Sequence, residues 1–238
     1  ESVLARPGLA PEVVAATRAA AATFESLGAT LKPVDFPDLD AGIAAYYLVA
    51  PAEASSNLAR FDGVRYGPRA RAADLAALYA ATRDAGFGPE VKRRIMLGTY
   101  ALSSGYYDAF YGKAMRARVT LRERFGAIFK DADLILIPTS PTAAFKLGEK
   151  TADPLEMYLA DVFTVFANLI GGPALSIPGG FSAEGLPLGL QLAADDFNEA
   201  TLFAAARAFE AATDFHTRRP ALVRAGNGAG AAPREEAR

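Results

Sequence analysis

A short run of four aliphatic residues, Leu134-Ile135-Leu136-Ile137, limits the possible fold more than any other segment of this chain. An uninterrupted apolar run that ends at a proline, here Pro138, is typical of a strand that is covered on both faces. Residues 174–177 and 188–192 are predicted as two further strands around a Gly/Pro turn. Helical patterns alternate with these strands, so we expect an α/β fold with a mixed β-sheet flanked by helices.

Apolar periodicity predicts the helices and one additional strand. The predicted helices cover residues 11–27, 39–60, 74–83, 89–102, 106–130, 154–169 and 198–213. Gly28 stands where a left-handed helix end is expected, and Asp153 is expected to cap the helix that follows it. Residues 30–36 are predicted as an edge strand that contains Pro33. We expect residues 1–220 to form one domain, and residues 221–238, which are small or charged, to form a flexible tail.

Composition excludes several functional classes. The chain of 238 residues has no cysteine, one histidine and a formal net charge of −2. Disulfides, thiolate metal sites and histidine-rich metal sites are therefore excluded, and a whole-surface nucleic-acid binder would be clearly basic. No apolar run approaches the roughly 20 residues of a membrane helix. His216 follows the last predicted helix and is interpreted as a surface histidine.

Serine nucleophiles and phosphate loops find little support in the sequence. Ser55-Ser56 lies in a predicted helix and Ser103-Ser104 lies between two predicted helices, so neither pair occupies a strand-to-helix elbow of the kind that exposes a hydrolase nucleophile. We interpret both pairs as packing or capping serines. The glycine pairs near residues 171 and 179 lack the lysine and hydroxyl residue of a phosphate loop.

Two charged positions within apolar helices indicate a binding site. In Lys92-Arg93-Arg94 the last two side chains point about 100° apart on a helix, so at least one faces inward and needs an anionic partner. Asp161 lies within an apolar stretch, residues 157–163. Its carboxylate either forms a structural ion pair or is reserved for a cationic ligand.

Two long segments resemble the A subunits of glutamyl-tRNA(Gln) amidotransferases. These are residues 51–67, PAEASSNLARFDGVRYG, and residues 87–108, which contain FGPEVKRRIMLGTY and SSGYYD. Residues 153–158 and 185–191 match patterns that are shared more widely among amidase-signature enzymes. The resemblance extends from about residue 9 to residue 220 and covers the C-terminal half of those proteins. It implies that the chain is the C-terminal portion of an amidase-signature domain from a longer protein.

The resemblance also implies the roles of individual residues. Family members use a Ser–cis-Ser–Lys triad from their N-terminal half, and no Gly-Gly-Ser-Ser-Gly segment occurs here, so we expect no catalytic residue and no activity in this chain alone. Arg94 matches the arginine that binds the α-carboxylate of L-glutamine, and Asp161 matches the aspartate that binds its α-ammonium. Tyr46, with Tyr47 adjacent, matches a tyrosine beside the bound substrate.

The function that the resemblance implies is cytoplasmic glutamine hydrolysis within a complex. Ammonia would pass to the B subunit, which uses ATP and Mg²⁺ to convert Glu-tRNA(Gln) to Gln-tRNA(Gln), and the C subunit would complete the assembly. We expect no cofactor or metal in this chain and no membrane contact. Two alternatives remain open, namely a fragment of a free-standing hydrolase of small amides and a non-catalytic scaffold.

Overall fold

The central sheet of the protein has three strands in the order β1–β3–β2. A computed structural model describes residues 1–37, 39–149, 157 and 160–220. The strands are β1 Ile135–Pro138, β2 Ala174–Phe181 and β3 Pro187–Ala193. All three were predicted from the sequence at nearly these positions, and the α/β class is confirmed.

Both strand pairings in the described part of the chain are antiparallel. The sheet was predicted to be mixed, and in the described residues it contains antiparallel pairs only. A tight turn joins β2 to β3, in which the Ser182 N–H donates to the Leu186 carbonyl at 2.8 Å. Gly185 in this turn has φ +83°, a left-handed conformation that glycine adopts without strain. Because so short a connection can only reverse the chain, these two strands must run antiparallel.

Strand β1 lies between two hydrophobic cores, as its apolar sequence predicts. Ile135 and Ile137 belong to the first core. Leu134 and Leu136 pack against the second core. Successive side chains of a strand point to opposite faces, so a strand that is buried on both sides needs apolar residues at every position.

Seven α-helices and three shorter turns surround this sheet in the described residues. They are α1 Pro11–Ser26, α2 Leu39–Asn57, α3 Leu75–Gly86, α4 Pro89–Ala101, α5 Lys113–Phe129, α6 Val165–Ile170, α7 Glu199–Ala212, the 3₁₀ turns Leu58–Arg60 and Phe215–Thr217, and a π-helical segment Tyr107–Gly112. Helices α2, α5 and α6 supply much of the first core, whereas α1 and α7 contribute to the second. None of the helices in the described ranges is both long and apolar enough to cross a membrane.

The helix predictions are confirmed for most of the chain, including the left-handed Gly28 after α1, where φ is +96°. The predicted helix over residues 106–130 begins as the π-helical segment and continues as α5. Helix α6 covers only the end of the helix predicted over residues 154–169. Residues 160–164 form turns instead, and residues 154–156, 158 and 159 lie outside the described ranges. The predicted tail, residues 221–238, also lies outside them.

The strand predicted over residues 30–36 is wrong, because this segment has no regular secondary structure and joins no sheet. Its anchor is aromatic. The Phe36 ring packs edge-on against Phe125 at 5.0 Å and against Phe166 at 5.3 Å, measured between ring centroids. Pro33 and Pro37 have no N–H to donate to a strand ladder. The Phe36 side chain, instead of backbone pairing, therefore holds the segment.

Helices α2 and α4 approach each other unusually closely where Gly98 meets Pro51. A Cβ atom built on Gly98 would lie 1.9 Å from the Pro51 carbonyl oxygen. Gly98 is one of only two buried residues of α4, the other being Ala101. Only a residue without a side chain fits here, so this contact fixes the separation of the two helices.

We predict that Gly98→Ala lowers the free energy of unfolding by about 1–3 kcal/mol, because backbone atoms of α2 must move to admit the methyl group. Gly126→Ala is the matched control, since Gly126 lies in α5 and a Cβ added there would meet no atom within 4 Å. That substitution should be neutral or stabilising by up to about 1 kcal/mol. Urea unfolding measures both variants. Equal denaturant midpoints for Gly98→Ala and Gly126→Ala would contradict the close contact between α2 and α4.

Candidate functional site

Arg94 lies in the second turn of α4 and is held by residues of two helices. Its Nε donates to the Glu90 carboxylate at 2.8 Å. Its Nη1 donates to the Tyr46 hydroxyl of α2 at 3.3 Å. The side chain is 31% exposed, so the guanidinium is fixed in place and still open to solvent. The hydrogen bond to Glu90, supported by that to Tyr46, raises the pKa of Arg94 above its ordinary value.

Tyr46 is half-buried and packs against the first core. Its ring lies edge-on to that of Tyr47, with 5.0 Å between the centroids. The close crossing of α2 and α4 lies one helical turn beyond Arg94 along α4, and this crossing brings the two side chains together. The structure thus joins two of the three residues that the resemblance singled out.

Glu90 is the carboxylate partner that sequence reasoning did not identify. It stands four residues before Arg94, a spacing at which side chains meet on a helix surface, and it also pairs with Arg93. Hydrogen bonds from Arg94 and then Arg93 lower the pKa of Glu90. The i, i+4 spacing was the signal that could have revealed it.

Asp161 lies in the turn that precedes α6 and is exposed, although its sequence neighbours are apolar. Its backbone carbonyl accepts the N–H groups of Thr164 at 3.0 Å and Val165 at 3.2 Å, which starts the helix. No ion pair joins its carboxylate to another described residue. Of the two interpretations left open by the sequence, the structural ion pair is therefore not seen within the described ranges.

Gln191 of the central strand β3 fixes the turn that carries Asp161. Its side chain is buried, and its Nε2 donates to the Phe163 carbonyl at 2.5 Å. Phe163 itself is fully buried. No sequence pattern pointed to Gln191, because a polar residue in an apolar strand shows nothing of its partner.

The remaining candidates have structural roles. The Ser55 hydroxyl donates to the Ala52 carbonyl at 2.8 Å, and the Ser103 hydroxyl donates to the Tyr100 carbonyl at 2.7 Å. These bonds to nearby helix carbonyls agree with their interpretation as packing or capping serines. His216 is exposed, as predicted. The described residues contain no group of three His, Asp or Glu side chains placed to hold a metal ion.

Comparison with known proteins identifies the family. The amidase family model matches residues 4–203 of the chain. The chain belongs to the amidase family.

The A subunits of glutamyl-tRNA(Gln) amidotransferases are among the most similar relatives of this amidase-family chain. The protein of Moorella thermoacetica is 58% identical over 90% of the chain, and that of Ralstonia nicotianae is 56% identical over 90%. The match spans 44% and 43% of those proteins, so the chain is less than half their length. The resemblance to the C-terminal half of such subunits is confirmed.

Solved structures of amidase-family enzymes share the fold. The A subunit of the glutamyl-tRNA(Gln) amidotransferase from Thermotoga maritima superposes with a TM-score of 0.65 at 40% identity, covering 88% of this chain and 40% of that one. A 6-aminohexanoate cyclic dimer hydrolase superposes with a TM-score of 0.66 at 22% identity, covering 90% and 44%. At that identity the hydrolase shows the fold alone.

We predict that Gln191→Met destabilises this amidase-family chain by about 1–3 kcal/mol, because the buried Phe163 carbonyl loses its donor. Ser176→Ala is the control. It removes only an exposed hydrogen bond between the Ser176 and Thr139 hydroxyls at 2.8 Å, and should cost less than about 0.5 kcal/mol. Thermal unfolding would argue against the role of Gln191 if both variants melted together.

A pH dependence follows from the pair formed by Glu90 and Arg94. The pKa of Glu90 is lowered from 4.5 in the folded protein, so its contribution is present above that pH and is lost as the pH falls below it. Glu90→Gln should therefore be less stable than the parent at neutral pH, by under about 1 kcal/mol for a half-exposed pair. The difference in unfolding free energy between the parent and Glu90→Gln should shrink in acid.

The control for Glu90 is Glu184→Gln, at an exposed carboxylate in the β2–β3 turn. Both variants are measured by urea unfolding at several pH values between about 3 and 7. A difference between parent and Glu90→Gln that stayed constant over this range would show that the pair is not the cause.

Proposed function

We propose that this chain provides the glutamine-binding side of the glutaminase subunit of a tRNA-dependent amidotransferase. The observation that carries the proposal is the Arg94 guanidinium, held between Glu90 and Tyr46 at the crossing of α2 and α4. It occurs in a chain that is 58% identical to the corresponding part of the A subunit of a glutamyl-tRNA(Gln) amidotransferase.

The arrangement around Arg94 suits the recognition of a carboxylate. A guanidinium has five N–H donors, and the contacts to Glu90 and Tyr46 occupy Nε and Nη1. The outer donors can bind the α-carboxylate of L-glutamine in a bidentate manner. A guanidinium stays charged in proteins, and the hydrogen bond from Arg94 to Glu90 raises its pKa further.

Asp161 completes the selection of a free amino acid in this proposal. Its exposed carboxylate would receive the α-ammonium of glutamine, while Gln191 holds the turn through Phe163. Opposite charges at two fixed points discriminate a zwitterion from amides that lack either charged group. Free-standing hydrolases of small neutral amides would have no use for such a pair.

Catalysis would require residues outside this chain. The nucleophilic serine, the cis serine and the lysine of the amidase signature would come from the N-terminal half of a longer subunit. Ammonia released there would pass to the B subunit, which would use ATP and Mg²⁺ to convert Glu-tRNA(Gln) to Gln-tRNA(Gln) in a cytoplasmic complex that also holds the C subunit. The 238 residues alone would then turn over no glutamine.

The test of this proposal is Arg94→Lys in the full-length protein, assembled with the B and C subunits. Lysine keeps the charge and loses the bidentate geometry, so the KM for glutamine should rise about 10- to 100-fold. Asp161→Asn should raise the same KM. Amidation driven by free ammonia should be unchanged in both variants, because it bypasses glutamine binding.

Arg116→Lys is the matched control, since Arg116 is an exposed arginine of α5 outside this site. Its KM for glutamine should equal that of the parent. If Arg94→Lys also left the KM for glutamine unchanged, the residues around Arg94 would have a structural role only and the proposal would fail. Turnover of small amides without dependence on the B and C subunits would instead identify a free-standing hydrolase.

A further inference from the structure

Two neighbouring arginines of the candidate site share a single carboxylate. Arg94 Nε donates to one oxygen of Glu90 at 2.8 Å, and Arg93 Nη2 donates to the other oxygen. All three side chains are partly exposed, between 31% and 47%. The two hydrogen bonds lower the pKa of Glu90, and arginine is always protonated in proteins, so each group is charged at neutral pH. We call these three side chains the Glu90 bridge, and its net charge is +1.

The other polar groups next to the Glu90 bridge leave that charge unchanged. Lys92 precedes the two arginines and has a carboxylate of its own, since its Nζ lies 2.5 Å from Asp84. The second contact that holds Arg94 is the hydroxyl of Tyr46 at 3.3 Å, which is neutral. A carboxylate in place of this hydroxyl would cancel the charge of the bridge. A neutral group in place of Glu90 would raise the charge to +2.

The net charge of such a site decides which anions it prefers. A guanidinium fork fits carboxylate and phosphate geometry alike, so shape alone discriminates poorly between them. Coulomb energy is proportional to the product of the two charges, so each unit of charge at the site acts twice as strongly on a dianion as on a monoanion. Glu90 also lies in the first turn of α4, where unpaired N–H groups attract anions. Its carboxylate opposes that attraction.

We infer that Glu90 is a specificity-determining residue, which keeps the carboxylate site at Arg94 selective for a monoanionic amino-acid carboxylate over dianions such as sulfate and phosphate. The inference rests on the proposed function for the identity of the amino acid. It goes beyond the hold on Arg94, because a neutral acceptor such as the Tyr46 hydroxyl can also hold a guanidinium. Selectivity then comes from a repulsive charge placed beside the attractive one.

The experiment measures anion binding to the full-length protein assembled with the B and C subunits. Sulfate is the dianion and acetate is the monoanionic carboxylate, and both are titrated by calorimetry at constant ionic strength. Glu90→Gln removes the charge and keeps an acceptor oxygen at nearly the same place. It should bind sulfate about 10-fold more tightly than the parent, and acetate only about 3-fold more tightly, because the gain in binding free energy is twice as large for the dianion.

Two further variants serve as controls. Glu123→Gln removes an exposed carboxylate that lies between Arg122 and Arg124 in the sequence of α5. No ion pair in the described ranges joins Glu123 to either arginine, so this variant should bind sulfate like the parent. Glu90→Gln combined with Arg93→Gln restores the net charge of +1. Its affinity for sulfate should return to that of the parent.

The outcomes separate this inference from the proposed function. Equal sulfate affinities of the parent and Glu90→Gln, or an equal gain for acetate and sulfate, would overturn the inference and leave the proposed function intact. A gain that Glu123→Gln shared, or that persisted in the combination with Arg93→Gln, would also overturn it, because the charge of the Glu90 bridge would not be the cause.

Competition with glutamine tests the proposed function separately. Sulfate should raise the apparent KM for glutamine in Glu90→Gln at concentrations that leave the parent unaffected. Sulfate that bound to Glu90→Gln without raising this KM would occupy a site other than that of glutamine. That result would overturn the proposed function.

Discussion

The arrangement of the candidate site depends on the contact between Gly98 and the Pro51 carbonyl, which sets how closely α2 and α4 can approach. Tyr46 and Arg94 lie about one turn away from this contact on their respective helices. The Tyr46 hydroxyl is only 3.3 Å from Nη1 of Arg94. A wider crossing would leave each helix intact and separate these two groups. The absence of one methyl group is therefore what allows two residues 48 positions apart in sequence to form this hydrogen bond.

The sheet positions Asp161, the other residue of the proposed site, by a different kind of interaction. Strand β3 is central, so its backbone is paired on both sides and Gln191 has little freedom to move. The hydrogen bond from Gln191 to the Phe163 carbonyl transfers that rigidity to the turn before α6. Close helix packing thus places the arginine, and a buried polar contact places the aspartate.

How far the sequence predicts this protein depends on whether a residue acts through its local pattern. The doubly covered strand β1 was predictable because four consecutive apolar residues have few other uses. Residues 30–36 gave a wrong prediction because the same residue pattern occurs whether a sheet or an aromatic anchor such as Phe36 holds the segment. Family resemblance singled out Arg94 and Tyr46 one at a time, and the hydrogen bond between them is seen only in the structure. Gln191 could not be found, since its partner is distant in sequence and is a backbone atom.

The π-helical segment Tyr107–Gly112 has a consequence for how the length of this chain can change. A π-helical turn holds an additional residue compared with an α-helical turn, and each residue of an α-helix turns it by about 100°. Deleting that additional residue would convert the segment to an α-helical turn and would leave the buried face of α5, with Leu121 and Phe125, directed at the first core. A one-residue deletion is therefore easier to accommodate in this segment, most of which is at the surface, than within α5 itself, where it would turn every later residue by about 100°.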